Sequence, residues 1–234
     1  MSKHNILDVT FASLDDSGDL IVDATKGLSA DGIYIADHRG EGFATANVTA
    51  IESAGTPGWA NGKIKRIAYP KSVPSIALTA LDLDWGINNK LRGYVQDTKS
   101  GAWLLQTPKP HIAVIIRSQA FDNSIFYECF NNVEFIQETS NNSTDNTAES
   151  DDSTALTGQA LTPLKSNIFI NPNTGLQQPY MIANSADTGF DLAKLYAEVF
   201  GGYVLSTTGS TTSSTTGSTT GSTTGSTTGS TTQG

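Results

Sequence analysis

From residue 206 to residue 234 the chain contains only Ser, Thr, Gly and a single Gln, largely as the repeating unit Ser-Thr-Thr-Gly. A segment without charge or large side chains buries too little apolar surface to offset its ordering entropy. It is expected to be a disordered, solvated tail, and as a Gly/Ser-type coil its 29 residues reach roughly 30 Å end to end. The repeat is too short for a solenoid, whose units run to about 20 residues or more. A β-structured stalk or an O-glycosylated stretch is the competing reading, and it requires an export signal. Any packed core must therefore come from residues 1–205, which are expected to form one domain, with residues 206–234 as its tail.

All 14 basic and all 23 acidic residues lie within the first 205, so the net charge of −9 belongs to that part. A protein that grips nucleic acid needs clustered Lys and Arg to displace counterions, so the acidic excess argues against that role. It suits a surface past which DNA slides. Cys129 is the only cysteine, so neither an intrachain disulfide nor a thiolate metal cluster is expected. Within Ser124-Ile-Phe-Tyr-Glu-Cys-Phe it reads as a buried apolar residue. The first residues, Met1-Ser-Lys-His-Asn-Ile-Leu-Asp, lack the apolar run of a signal peptide. No stretch is long enough to span a bilayer, so no membrane partner is expected.

The pattern through residues 1–205 is mainly β. Residues 44–53 read as a strand, closed by a turn at Gly55-Thr-Pro-Gly58. Asn61-Gly62 is a hairpin turn between Trp59 and the run 63–69. Pro70 and Pro74 precede a strand over 75–81 whose Ile76, Leu78 and Ala80 share a face. Residues 111–118, 125–131 and 133–139 read as consecutive strands, the last two joined by a tight turn at Asn131-Asn132. Two short helices are expected. One starts at Asp84 and stops at Gly93. The other has Asp191 as its cap, a stripe of Leu192, Leu195, Tyr196 and Val199, and Gly201-Gly202 as its end. Between residues 138 and 156 the chain is polar with five acids and no base; it is either a long exposed loop or the solvent-facing part of a hairpin.

The search for chemistry gives little. His4, near an end expected to be mobile, His38 and His111 have no His or Cys partner at metal-ligand spacing. Asp31 with Asp37-His38 reads as a polar loop rather than a metal site. Gly40-Glu-Gly42 begins like a dinucleotide fingerprint, but Thr45 occupies the third glycine position. Neither Asp15-Asp16 nor Asp151-Asp152 has the burial that separates two carboxyl pKa values for acid/base work. No cofactor and no catalytic activity are expected.

Several motifs recur in a fixed order. A Thr/Asn-rich strand, Asn61-Gly62, a Lys/Ile strand and Pro74-Ser-Ile-Ala-Leu-Thr are followed by Leu91-Arg-Gly-Tyr94. Then come Lys109-Pro-His-Ile-Ala-Val-Ile-Ile116, Phe126-Tyr-Glu-Cys-Phe130, Gln178-Pro-Tyr-Met-Ile and Ser185-Ala-Asp-Thr-Gly-Phe-Asp191. Val199-Phe-Gly-Gly-Tyr203 closes the set. Across residues 40–203 this order resembles the major tail proteins, or tail tube proteins, of siphophages infecting lactic acid bacteria and related Gram-positive hosts. The Ser-Thr-Thr-Gly tail departs from that family.

The resemblance implies a β-sandwich or partial barrel flanked by one or two helices. Six subunits would close into a ring, rings would stack into a tube, and hairpins would line its lumen. The implied partners are further copies of the chain, a tape-measure protein, a tail terminator and distal tail proteins, with DNA only in transit. Assembly would take place in the host cytoplasm and the product would reside in the virion. An acidic wall repels phosphate, so Glu134, Glu138, Asp145, Glu149, Asp151 and Asp152 are the candidate lumen-facing residues. The alternatives are an inter-ring or outer loop for these acids, and a surface or adhesin module with a Ser/Thr-rich stalk for the whole chain.

Overall fold

The computed structural model describes residues 3–137 and 154–205. In chain order the elements are β1 (Lys3–Leu14), β2 (Ile33–Asp37), β3 (Gly42–Thr49), β4 (Thr56–Ala60), β5 (Lys63–Ala68) and β6 (Ser75–Asp82). They continue with α1 (Trp85–Leu91), β7 (Tyr94–Gln96), β8 (Trp103–Leu105), β9 (His111–Ala120) and β10 (Ile125–Ile136). The last are β11 (Thr154–Ala160), β12 (Met181–Asn184) and α2 (Leu192–Val199). The fold is thus mostly β with two short helices, as expected.

One large antiparallel sheet runs in the order β2-β1-β9-β10-β11-β6-β3, with β12 added to β10. The sheet curls without closing, so that Phe43 of β3 comes within 6.1 Å of Phe11 of β1, ring centre to ring centre. Alternation decides which residues fill the concave side. Ile76, Leu78 and Ala80 of β6 point inward and meet Val9 and Phe11 of β1, Val114 and Ile116 of β9, and Phe135 of β10.

The convex side is covered by α2. Leu195, Tyr196, Val199 and Phe200 pack there on Ala12, Leu14, Ala113, Ile115, Tyr127 and Cys129. Strand β9 is therefore buried on both faces, which is why it reads as an unbroken apolar run. Both helix caps form as the residues dictate. Asp84 Oδ1 accepts from Ile87 N, and Asp191 Oδ1 accepts from Ala193 N and Lys194 N.

Three expectations are corrected. The first residues are not a mobile end: they enter β1, an inner strand paired along its length with β9. His4 is held there by Gln119 O at 3.0 Å and stacks on Phe121. Polar residues disguise β1, but Asp8 and Thr10 lie buried on the face that α2 covers. The Arg117 guanidinium neutralises Asp8, with Nε donating to both carboxylate oxygens at 2.9 Å. Burial works against the Arg117 charge, yet the carboxylate more than offsets it and holds the guanidinium above its ordinary pKa.

Gly55-Thr-Pro-Gly58 does not end a strand; most of it lies in β4. Nor do Asn131-Asn132 form a turn. Strand β10 is continuous, and its partner β9 advances two residues, from Val114 to Ile112, while β10 advances three, from Phe130 to Val133. The extra residue makes a β-bulge that returns Phe130, Val133 and Phe135 to the same core. Long-range bonds hold both amides, although the buried Asn131 Oδ1 has no partner among the described residues. Asn131 Nδ2 donates to Val199 O at 2.8 Å, Asn132 Nδ2 donates to Thr162 O at 3.0 Å, and Asn132 Oδ1 lies 3.0 Å from His111 Nδ1. Below the bulge β12 pairs with residues 126–129, and above it β11 pairs with residues 133–136, both on the same edge of β10.

Candidate assembly surface

Strands β4 and β5 form a hairpin whose turn is set by Asn61 (φ 50°) and Gly62 (φ 75°). Positive φ at both central residues matches the right-handed twist of the flanking strands, which is why Asn-Gly is favoured there. Unlike every strand of the large sheet, β5 is exposed along its whole length.

Pairing sorts the hairpin into two faces. Trp59 lies opposite Ile64 and Pro57 opposite Ile67, and an extra residue at Lys65 keeps both pairs on the same side. Trp59 is 66 % exposed, Ile64 51 %, Ile67 48 % and the following Tyr69 67 %. Isolated exposed apolar residues are ordinary, but a row of this kind marks an interaction surface. Lys63 pairs with Ala60 and Arg66 with Gly58, so both belong to the opposite face. From Ser53 to Leu81 there are four bases and no acid, in a chain whose net charge is −9. The arm is cationic and the remainder more acidic than the total suggests.

At the base of the arm, an added Cβ on Gly55 would lie 2.8 Å from the Tyr69 ring. Glycine is what lets Ile67 and Tyr69 close over the backbone there.

Two further features are open to a partner chain. Strands β2 and β3 end the sheet and offer unpaired backbone edges. Between β1 and β3 the incomplete closure leaves an opening of about 430 Å³, lined by Lys3, Ile6, Phe43, Asn47, Val48 and Glu128 among others.

Of the six candidate acidic residues, only Glu134 belongs to the described part. It lies on β10 opposite Gln159, half-buried, and points away from the core that Val133 and Phe135 enter. Its charge acts on Lys109, whose Nζ donates to Arg92 O and Phe135 O at 2.8 Å each. Burial pushes the Lys109 amine down, with Glu134 opposing that shift and Arg92 adding to it. Glu138, Asp145, Glu149, Asp151 and Asp152 lie outside the described residues. The chain that carries them joins β10 to β11, two antiparallel neighbours.

The remaining candidates fall apart as sites. Asp37 uses Oδ1 to accept from Arg39 N at 2.9 Å, an ordinary local turn. Among the described residues no group of three His, Cys, Asp or Glu is arranged to hold a metal ion, and no helix is long and apolar enough to cross a membrane. Cys129 is fully buried, and burial pushes its thiol far above the ordinary value.

The family of phage tail tube proteins matches residues 1–208. The chain belongs to the phage tail tube protein family. No curated protein matches it significantly. As a tail tube protein it is a structural component of the phage tail, and the exposed arm and open sheet edges are surfaces that the single subunit leaves uncovered. Of the arm, the sequence showed the turn and the Lys/Ile strand after it but not its two-faced character. The missed signal was the alternation of Trp59, Ile64 and Ile67 with Lys63 and Arg66 about that turn.

Proposed function

We propose that this tail tube protein closes with copies of itself into hexameric rings, which stack into the long non-contractile tube of a siphophage. The phage genome leaves through the lumen. The exposed β4–β5 arm carries this reading: an apolar row of Trp59, Ile64, Ile67 and Tyr69, backed by Lys63 and Arg66, on an acidic chain. Such a surface is unfavourable in water alone and complementary to a second copy. A head-to-tail contact that closes by rotation makes a ring, and a second such contact makes the stack.

The acids of residues 138–152, together with Glu134, line the channel in this reading and repel the phosphate backbone. A tape-measure protein sets the length of the tube, and a terminator and distal tail proteins close its ends, with assembly in the host cytoplasm. Residues 1–205 form the assembling body, and residues 206–234 are its tail.

Electron microscopy of the purified protein, with its mass measured by light scattering, tests the reading. Rings or tubes of uniform bore are expected. A strict monomer at high concentration, in the presence of the tape-measure and distal tail proteins, would overturn it. Locating the acids in an assembled ring tests the lumen: a neutral or basic lining would end the charge argument.

A further inference from the structure

A second surface, away from the arm, has the chemistry of a binding site. Helix α1 and the β7–β8 hairpin enclose an open groove of about 660 Å³. Trp85 and Asn89, four residues apart, share one face of α1 and form one wall. Tyr94 and Gln96 project from the same face of β7, and Trp103 lies opposite Gln96 on β8. Gln137 completes the polar side. Two of the three tryptophans of the chain thus flank one groove, and Trp85 is 68 % exposed.

The polar groups of the groove have bonding capacity to spare. Gln96 Nε2 donates to Gly101 O at 3.2 Å, which leaves its second N–H and its carbonyl oxygen. Tyr94 Oη donates to Gln137 Oε1 at 3.2 Å, which leaves the Gln137 amide nitrogen. Asn89 is 6 % exposed, and its amide nitrogen meets no acceptor among the described residues.

The lining points to the class of ligand. Among the described residues no charged side chain contributes to it, so an ion would find no counter-charge there. A wholly apolar ligand would bury the amides without partners. A sugar ring satisfies both demands, with its C–H face on an indole and its hydroxyls on carboxamides. We propose that this groove binds a neutral glycan, with Trp85 and Trp103 as stacking platforms and Gln96 and Gln137 reading the hydroxyls.

The test uses the full chain at a concentration where it is unassembled, so its result does not depend on the tube reading. Chitotetraose, cellotetraose and maltotetraose are each titrated while tryptophan fluorescence and heat are recorded. At least one is expected to saturate both signals. Trp85→Ala should weaken that binding by about three- to tenfold, the loss of one aromatic stacking contact, and Gln96→Ala should weaken it as well. Trp59→Ala should bind like the unaltered chain, and the thermal midpoint of Trp85→Ala should stay in place. Absence of saturable binding by all three sugars overturns the proposal. So does a Trp85→Ala chain that binds sugar normally, or one whose only defect is failure to assemble, which would make the groove a contact between subunits.

Discussion

Replacing Trp59 by Ser separates the arm's role in assembly from any role in folding. A tryptophan buries about 150–250 Å² when fully covered. With 66 % of Trp59 open in the single subunit, about 100–165 Å² of that surface remains to be covered by a neighbour. At about 25 cal/mol per Å² the contact contributes about 2.5–4 kcal/mol, an upper bound before side-chain ordering is subtracted. In the proposed tube each subunit donates one arm, so the loss appears once per subunit added. A loss of even about 2 kcal/mol raises the critical concentration for assembly about thirtyfold. Sedimentation of tubes across a dilution series reads this directly. The isolated subunit should melt within about 2 °C of the unaltered chain, because an exposed side chain contributes little to folding. An unchanged critical concentration, or a thermal midpoint lowered by several degrees, would refute the reasoning.

Reversing the opposite face of the arm with Lys63→Glu and Arg66→Glu should also block tube formation, and in the unaltered chain raised salt should weaken assembly by screening this surface; light scattering follows both. Asp8→Ala leaves Arg117 half-buried without its partner and should destabilise the subunit by about 3–5 kcal/mol in urea unfolding, while adding Arg117→Met should recover much of the loss. Gly201→Ala should lower the thermal midpoint, since its φ is 61° and the new Cβ would lie 2.6 Å from Gly18 O and 2.7 Å from Leu20 N, both backbone atoms. Backbone N–H groups of α2 hold the Asp191 carboxyl below its ordinary value of 3.8, with Lys194 first among the causes. A depressed carboxyl contributes its stability fully above the unfolded pKa and loses it as pH falls through the folded one. Asp191→Asn should therefore flatten acid unfolding below about pH 4, as circular dichroism would report.

The parts legible in the sequence were those in which local pattern and tertiary demand agree. Asn61-Gly62, the alternation of Ile76, Leu78 and Ala80, and the stripe and caps of α2 each specify their element without help from elsewhere. Strand β1 was hidden because Asp8 and Thr10 interrupt its apolar pattern, and Asp8 becomes a core residue only through Arg117, more than a hundred positions away. Asn131-Asn132 has turn chemistry, but its amides find partners in α2 and beyond β11, so the same residues serve a bulge. The groove between α1 and the β7–β8 hairpin could not be read, because Trp85, Trp103 and Gln137 meet only after the chain has folded. The site for the acidic stretch stands differently: its residues were named from composition, and only Glu134 is placed.

The bulge in β10 has a mechanical consequence. One strand threads both hydrophobic layers, carries β12 below the irregularity and β11 above it, and holds the end of α2 through Asn131. Neither layer can open without tearing bonds that secure the other, so the body should behave as a single cooperative unit. A load applied to one subunit by its neighbours in the tail would then be borne by the whole subunit rather than by its weakest strand.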